Sequence, residues 1–259
     1  MRFLYPSDPT NPRSVDDTYG DECQAIRQAG FAVSLFSFED FESGRFRAKP
    51  ALSPDETVLY RGWMLTVPRY EELVGAIGAS GAKAFTSVQS YKLCHHLPEW
   101  YSLLQEHTAE TVVLAEDADF SLLDSLGWPG YFVKDYVKSL STAGGSLAES
   151  ATDIAGIVAL MKKYRGFIEG GVCIRKRQNF RAESERRFFV FQGQPLAAKG
   201  VVPRLVAECA QRIASPFFSV DTAVGDNGML CLVELGDGQV SDRKEWAPER
   251  FVEIFADVR

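Results

Sequence analysis

Apolar and polar positions along this chain alternate between two periods. "RFLYPSD" (Arg2 to Asp8) reads as a strand ending in a turn, and "DDTYGDECQAIRQAG" as a helix stopped by Gly30. "FAVSLFSFEDF" and "TVLYRGW" read as strands. Pro68 then starts a helix whose Tyr70, Leu73, Val74 and Ile77 fall at i, i+3, i+4 and i+7, one face. "KAFTS" follows as a short strand. The order β-α-β-β-α-β predicts a small α/β domain with a mainly parallel sheet.

The pattern changes after it. "SYKLCHHLPEWYSLLQEHT" predicts one or two helices, and "GYFVKDYVKS" an uninterrupted strand. Thr152 is placed to cap a helix with Ile154, Ile157, Val158, Met161 and Tyr164 on one face. "ERRFFVFQGQPLAAKG" (Glu185 to Gly200) reads as an aromatic hairpin, and "VPRLVAECAQRIA" as a helix. "FFSVDTAV" and "MLCLVELG" pair around "GDNG", and "APERFVEIF" closes as a helix. The richness in hairpins predicts an α+β second domain, with a boundary between residues 87 and 110.

Composition narrows the function classes. The chain has 259 residues, 46% hydrophobic and 24% charged, as in an ordinary globular protein with a real core. A formal net charge of −7 argues against general binding to nucleic acid or to anionic membranes. No apolar run approaches the ~20 residues of a membrane-spanning helix. The start lacks a signal-peptide core, and five scattered cysteines without a CxxC read as reduced thiols, so a cytoplasmic location is expected.

Four constellations carry candidate chemistry. In "YFVKDYVKSLSTAGGS" strand alternation puts Phe132, Lys134, Tyr136 and Lys138 on one face, with Lys134 half-buried among aromatics. Such a lysine wants an anion or acid. The Ser/Thr/Gly loop Ser139 to Ser146 has N–H groups and hydroxyls suited to phosphates. An edge-strand lysine before a surface loop is the equal alternative. Asp221 and Glu234 sit in two adjacent apolar strands, where facing carboxylates are costly unless a cation such as Mg²⁺ lies between them. Asp237 and Asp242 add acid, while Asp226 reads as a turn residue. Glu185 and Arg187 share a strand face and Arg186 points away. They are either a solvated charge pair or a guanidinium offered to phosphate. Glu169 ends an apolar strand before Gly170-Gly171, either a plain turn or a hinge presenting backbone groups to a planar base. "CHH" (Cys94 to His96) has poor spacing for zinc. Arg61 ends a strand where α/β sheets tend to bind ligands, so it is a candidate for a substrate carboxylate, or else a surface arginine.

In order and spacing over roughly residues 87–245, these pieces resemble the ATP-grasp ligases. "SYKL" is similar to the segment with the family's first ATP lysine, here Lys92, and "YFVKDYVKSLSTAGGS" to the strand and loop with the second, Lys134. "FIEGGV" resembles the adenine-contacting hinge, and "ESERRFFVFQGQPLAAKG" the E-x-R-x-[FV]-V strand with its "G.P.AA" continuation. "SVD" and "LVELGDGQVSD" resemble the metal-ligand strands, and "ELGDGQVS" the short bacterial and phage clade named for two arginines and a lysine. One departure is plain: the usual E-x-N reads Glu234-Leu235-Gly236, leaving Asp237 or Asp242 as substitutes.

The resemblance implies an α/β pre-ATP-grasp domain over residues 1–90. An α+β ATP-grasp domain with antiparallel sheets then covers 91–259, its central lobe about 110–166 and its C-terminal lobe about 167–259. It implies ATP and Mg²⁺ as cofactors, and a ligase joining a carboxylate to an amine or thiol through an acyl phosphate. Substrates would be small-molecule or peptide carboxylates and amines. Lys92, Lys134, Lys138, Ser141, Gly144, Glu169, Val172 and Glu185 would bind nucleotide. Asp221, Glu234 and Asp237 would bind metal, and Arg187 and Lys199 would be catalytic, with Arg175 or Arg204 as the other signature arginine. The competing expectation is an ATP-binding module without turnover, kept alive by the missing asparagine.

Overall fold

The computed structural model describes residues 1–140 and 145–258. The chain packs as two compact units. One comprises Met1–Lys92, Arg187–Val220 and Gly236–Arg259, the other Leu93–Arg186 and Asp221–Leu235.

In the first unit, β1 (Arg2–Pro6), β2 (Ala32–Phe36), β3 (Thr57–Tyr60) and β4 (Lys83–Ala84) form a parallel sheet in the order β2-β1-β3-β4. The inner strands β1 and β3 are buried on both faces beyond their first residue, as parallel strands usually are. Phe3, Tyr5 and Leu59 point into a core with α1 (Gly20–Gln28) and α8 (Pro248–Val252), built largely from aromatics such as Phe217, Trp246, Phe251 and Phe255. Leu4, Val58 and Tyr60 point the other way, onto Tyr70, Leu73 and Ile77 of α3 (Val67–Ala79). "FAVSLFSFEDF" is not one strand. Ser37 accepts a hydrogen bond from the Asp40 N–H at 3.1 Å and caps a short helix, α2 (Phe38–Glu42).

In the second unit, α4 (Val88–His95) runs in from the first unit and α5 (Leu97–Leu104) follows. Next come β5 (Thr111–Leu114), β6 (Tyr131–Asp135), β7 (Leu147–Ala148), α6 (Ala151–Arg165) and β8 (Val172–Lys176). The four strands make an antiparallel sheet in the order β5-β8-β6-β7. Val112, Tyr131, Val133, Val172 and Ile174 pack on Ile154, Val158 and Met161 of α6. The cap of α6 is Ser150 rather than Thr152, in a reciprocal capping box with Asp153.

A third sheet has the order β10-β9-β11-β12, from β9 (Arg186–Phe191), β10 (Gln194–Ala197), β11 (Phe217–Val224) and β12 (Leu230–Asp237). Helix α7 (Arg204–Arg212) lies between β10 and β11 in sequence. The hairpin β9-β10 pairs Phe191 with Gln194 and turns at Gln192 and Gly193, both at positive φ (48° and 78°), the geometry of a two-residue primed turn. Among the described residues no helix is long and apolar enough to cross a membrane.

Candidate functional site

Opposed residues in an antiparallel sheet share a face. In the second unit Phe132 stands opposite Arg175 and Lys134 opposite Cys173, while Thr111 and Val113 flank them from β5. The α6 core takes the other face, so Lys134 and Arg175 lie on the face away from the helix. Lys134 is only 4% exposed, and its Nζ donates to Oε1 of Glu234 on β12. The Glu234 side chain is 41% exposed, so the pair joins a buried cation to a carboxylate that reaches solvent. The edge-strand reading does not hold: β6 lies between β8 and β7, and Lys134 is buried with an acid partner, as its apolar surroundings demand.

Arg175 locks the strand that carries Glu234. Its Nη1 donates to the Val233 carbonyl at 2.8 Å and its Nη2 to Thr108 Oγ1, which in turn donates to the Leu232 carbonyl at 2.7 Å. Burial pushes the Arg175 guanidinium pKa down, against the pull of the Glu234 charge. Its Nε is buried without a partner.

Strand β6 stops at Asp135, so Tyr136 and Lys138 do not extend the Lys134 face as alternation predicts. Asp135 is fully buried and its Oδ1 accepts from the N–H of Val137 at 2.8 Å and Lys138 at 2.6 Å, which bends the chain. Its Oδ2 accepts from Arg165 Nη1 and from the Glu169 N–H at 3.1 Å. The hinge beyond α6 is therefore tied to the end of β6. Glu169 Oε1 lies 3.2 Å from His96 Nε2. A Cβ at Gly170 would collide with the Tyr136 ring, so this position requires glycine, as its φ of 78° also does. Asp135 and Thr108 escape sequence reasoning, and His96 enters it only as a poorly spaced zinc ligand, not as the neighbour of Glu169. For Asp135 the available signal was an acid inside an apolar run, three residues before a lysine.

The first unit holds the other candidates. Arg61 does not offer itself to a substrate. It is 1% exposed, and its Nε and Nη2 donate to the two oxygens of Glu22 at 2.8 and 2.7 Å. Its Nη1 donates to the Gly238 and Ser241 carbonyls. Burial would lower its pKa, but Glu22 outweighs burial and holds it charged. Arg187 is half-buried and paired with Asp242, which is 77% exposed, and its N–H donates to Glu245 Oε1 at 2.9 Å. Arg186 and Glu185 are exposed, and Glu185 precedes β9 rather than lying on it. Lys199 is exposed just beyond β10, and Arg204 pairs with Glu208 on α7. Asp237 is fully buried. Its Oδ1 accepts from the backbone N–H of Gln239 at 3.0 Å and from its side-chain Nε2 at 3.1 Å, while Oδ2 has no partner. Burial raises its carboxyl pKa to about 7.

Lys92 and Lys138 are exposed, Val172 starts β8, and Asp221 is buried on β11. Ser141 and Gly144 lie outside the described residues. Among the described residues no three His, Cys, Asp or Glu side chains surround a common point suited to a metal ion. Asp221 and Glu234 nonetheless supply the oxygen donors Mg²⁺ prefers, and the exposed Glu234 carboxylate is open to an ion that brings its own phosphate and water ligands.

No curated protein is significantly similar to this sequence. Solved structures share its fold. They include the D-cycloserine synthetase DcsG, at TM-score 0.62 and 13% identity over 99% of both chains. The D-alanine-D-alanine ligase from Coxiella burnetii aligns at TM-score 0.64 and 12% identity, over 99% of this chain and 94% of that one. The ATP-grasp ligase PsnB, complexed with a minimal precursor, Mg and ADP, aligns at TM-score 0.60 and 11% identity, over 98% and 97%. The family model described as "ATP-grasp domain, R2K clade family 3" matches residues 85–254, well over half of the sequence, and the chain belongs to that ATP-grasp family.

Proposed function

We propose that this protein is an ATP-dependent ligase that activates a carboxylate as an acyl phosphate and passes it to an amine, or to a thiol. The observation that carries the reading is the buried Lys134 on the sheet face opposite α6, charge-paired with the solvent-reaching Glu234. A lysine set in an apolar wall beside a single carboxylate is a ready phosphate ligand once a nucleotide enters. The substrate carboxylate attacks the γ-phosphorus of ATP, ADP leaves, and the nucleophile then displaces phosphate. Positioning and charge neutralisation dominate such a transfer. Lys134 and Lys92 are assigned to the nucleotide phosphates, Glu169 and Val172 to the base, and Arg187 and Lys199 to the transferring phosphoryl group. Asp221 and Glu234 would hold Mg²⁺, which neutralises phosphate charge when bound. Mg-ATP-dependent ADP release on adding a carboxylate and an amine tests the reading, with hydroxylamine trapping the acyl phosphate. ATP binding without turnover across a broad substrate panel would overturn it.

One observation favours the second reading, a nucleotide-binding module without turnover. At Gly236, where the resemblance expects asparagine, a Cβ would lie 2.7 Å from Ser241 Oγ and 2.9 Å from Ser219 Oγ. The two hydroxyls hydrogen-bond each other at 2.8 Å, so this position is packed as glycine.

A further inference from the structure

The side chain assigned to phosphate and the side chain assigned to metal are each other's partner: Lys134 Nζ donates to Glu234 Oε1. The two ends of the pair are unequal. Lys134 is buried on β6, whereas Glu234 reaches solvent from β12. A second buried cation, Arg175 on β8, meets the same strand one residue earlier, where its Nη1 donates to the Val233 carbonyl at 2.8 Å.

The backbones that carry the pair are held. Lys134 is in register with Cys173 across β6 and β8. β12 is an edge strand, and its Leu232 and Val233 carbonyls are taken by Thr108 Oγ1 at 2.7 Å and by Arg175. An exchange of partners at Lys134 and Glu234 is therefore a matter of side-chain rotation on a fixed frame.

Charge balance then decides what can enter. A triphosphate without metal reaches Lys134 only by displacing Glu234. It leaves that carboxylate beside its own negative oxygens, in a wall where like charges repel more strongly than in water. A divalent cation without nucleotide takes Glu234 from Lys134 and leaves a buried ammonium without an acid. The two together exchange one ion pair for two, since Lys134 passes to a phosphate oxygen as Glu234 passes to the cation. Glu234 is then the repulsive element that separates two closely related ligands.

We infer that the Lys134–Glu234 pair discriminates metal-loaded nucleoside triphosphate from the metal-free form, with Glu234 as the excluding group. This rests on the assignment of Lys134 to phosphate and Glu234 to metal in the ligase reading, and not on turnover.

Calorimetry of the full chain with AMPPNP, in EDTA and in excess Mg²⁺ at equal ionic strength, reads the discrimination without catalysis. Wild type should bind Mg-AMPPNP about ten-fold or more tightly than metal-free AMPPNP. Glu234→Gln keeps an oxygen acceptor for Lys134 but removes the charge. It should bind metal-free AMPPNP more tightly than wild type and Mg-AMPPNP more weakly, whereas a loss of packing alone would weaken both. The reciprocal measurement needs no nucleotide. Mn²⁺, followed by electron paramagnetic resonance, should bind Lys134→Met more tightly than wild type, because Glu234 no longer has a competing partner. If Glu234→Gln fails to fold, this second variant decides alone. Metal-free AMPPNP bound no more tightly by Glu234→Gln, or Mn²⁺ bound no more tightly by Lys134→Met, would overturn the inference. The opposite shifts in a protein that releases no ADP with any carboxylate and amine would sink the ligase reading and leave the discrimination standing. ADP release by wild type, with both AMPPNP forms weakened alike in Glu234→Gln, would do the reverse.

Discussion

Lys134 and Glu234 stand 100 residues apart in sequence and meet as an ion pair in which the lysine is buried and the carboxylate is 41% exposed. The asymmetry has consequences for mutation. Glu234→Ala strands a buried ammonium, at a cost of about 3 kcal/mol. Lys134→Met leaves a carboxylate that water can reach and costs much less. Urea unfolding should rank the variants in that order. The double variant should recover most of the stability and none of the activity. Each single change should lower ADP release by about a hundredfold or more.

Arg187 and Arg186 are neighbours with different fates. The former is half-buried and paired with Asp242, the latter exposed. Arg187→Ala should impair ATP turnover strongly and Arg186→Ala barely, measured as kcat at saturating ATP. Equal effects would remove Arg187 from the proposed machinery.

Asp135 organises the turn after β6 through the N–H groups of Val137, Lys138 and Glu169 and the Arg165 guanidinium. Asp135→Ala leaves these donors without their acceptor and should cost about 3 kcal/mol in urea unfolding. Arg165→Ala should cost less, because Asp135 keeps its backbone partners.

Arg61→Ala should fail in folding rather than in substrate affinity, since it leaves Glu22 buried without its fork of donors. A folded Arg61→Ala protein with a raised KM and unchanged thermal stability would restore it as a substrate contact.

Asp237 predicts a pH dependence in EDTA. Its carboxyl pKa is raised by burial from 3.8 to about 7, so the folded state holds the proton more tightly than the unfolded state. The contribution is fully present below pH 3.8 and is lost as pH rises through about 7. Asp237→Asn mimics the protonated form. The variant should gain stability relative to wild type between pH 5 and 8, read by thermal melts at each pH. A constant difference across that window would show that Asp237 does not titrate there.

Hydrophobic periodicity determined most of the order of elements, because strand and helix periods depend on neighbours a few residues apart; it missed α2, whose start is set by the Ser37 cap. The alternation of Phe3, Leu4 and Tyr5 already encodes a sheet buried on both faces. The Lys134 strand was legible because a lysine in an apolar run demands a partner. Which partner it takes was decided by tertiary structure, as were the turn at Asp135 and the capture of Arg61 by Glu22. An ion pair between residues 100 apart depends on how β6 and β12 come together, and no local pattern records that. Arg61 shows the same limit from the other side. A strand-end arginine looks the same in sequence whether it faces a ligand or a buried glutamate, and only the packing of α1 against the sheet puts Glu22 within its reach.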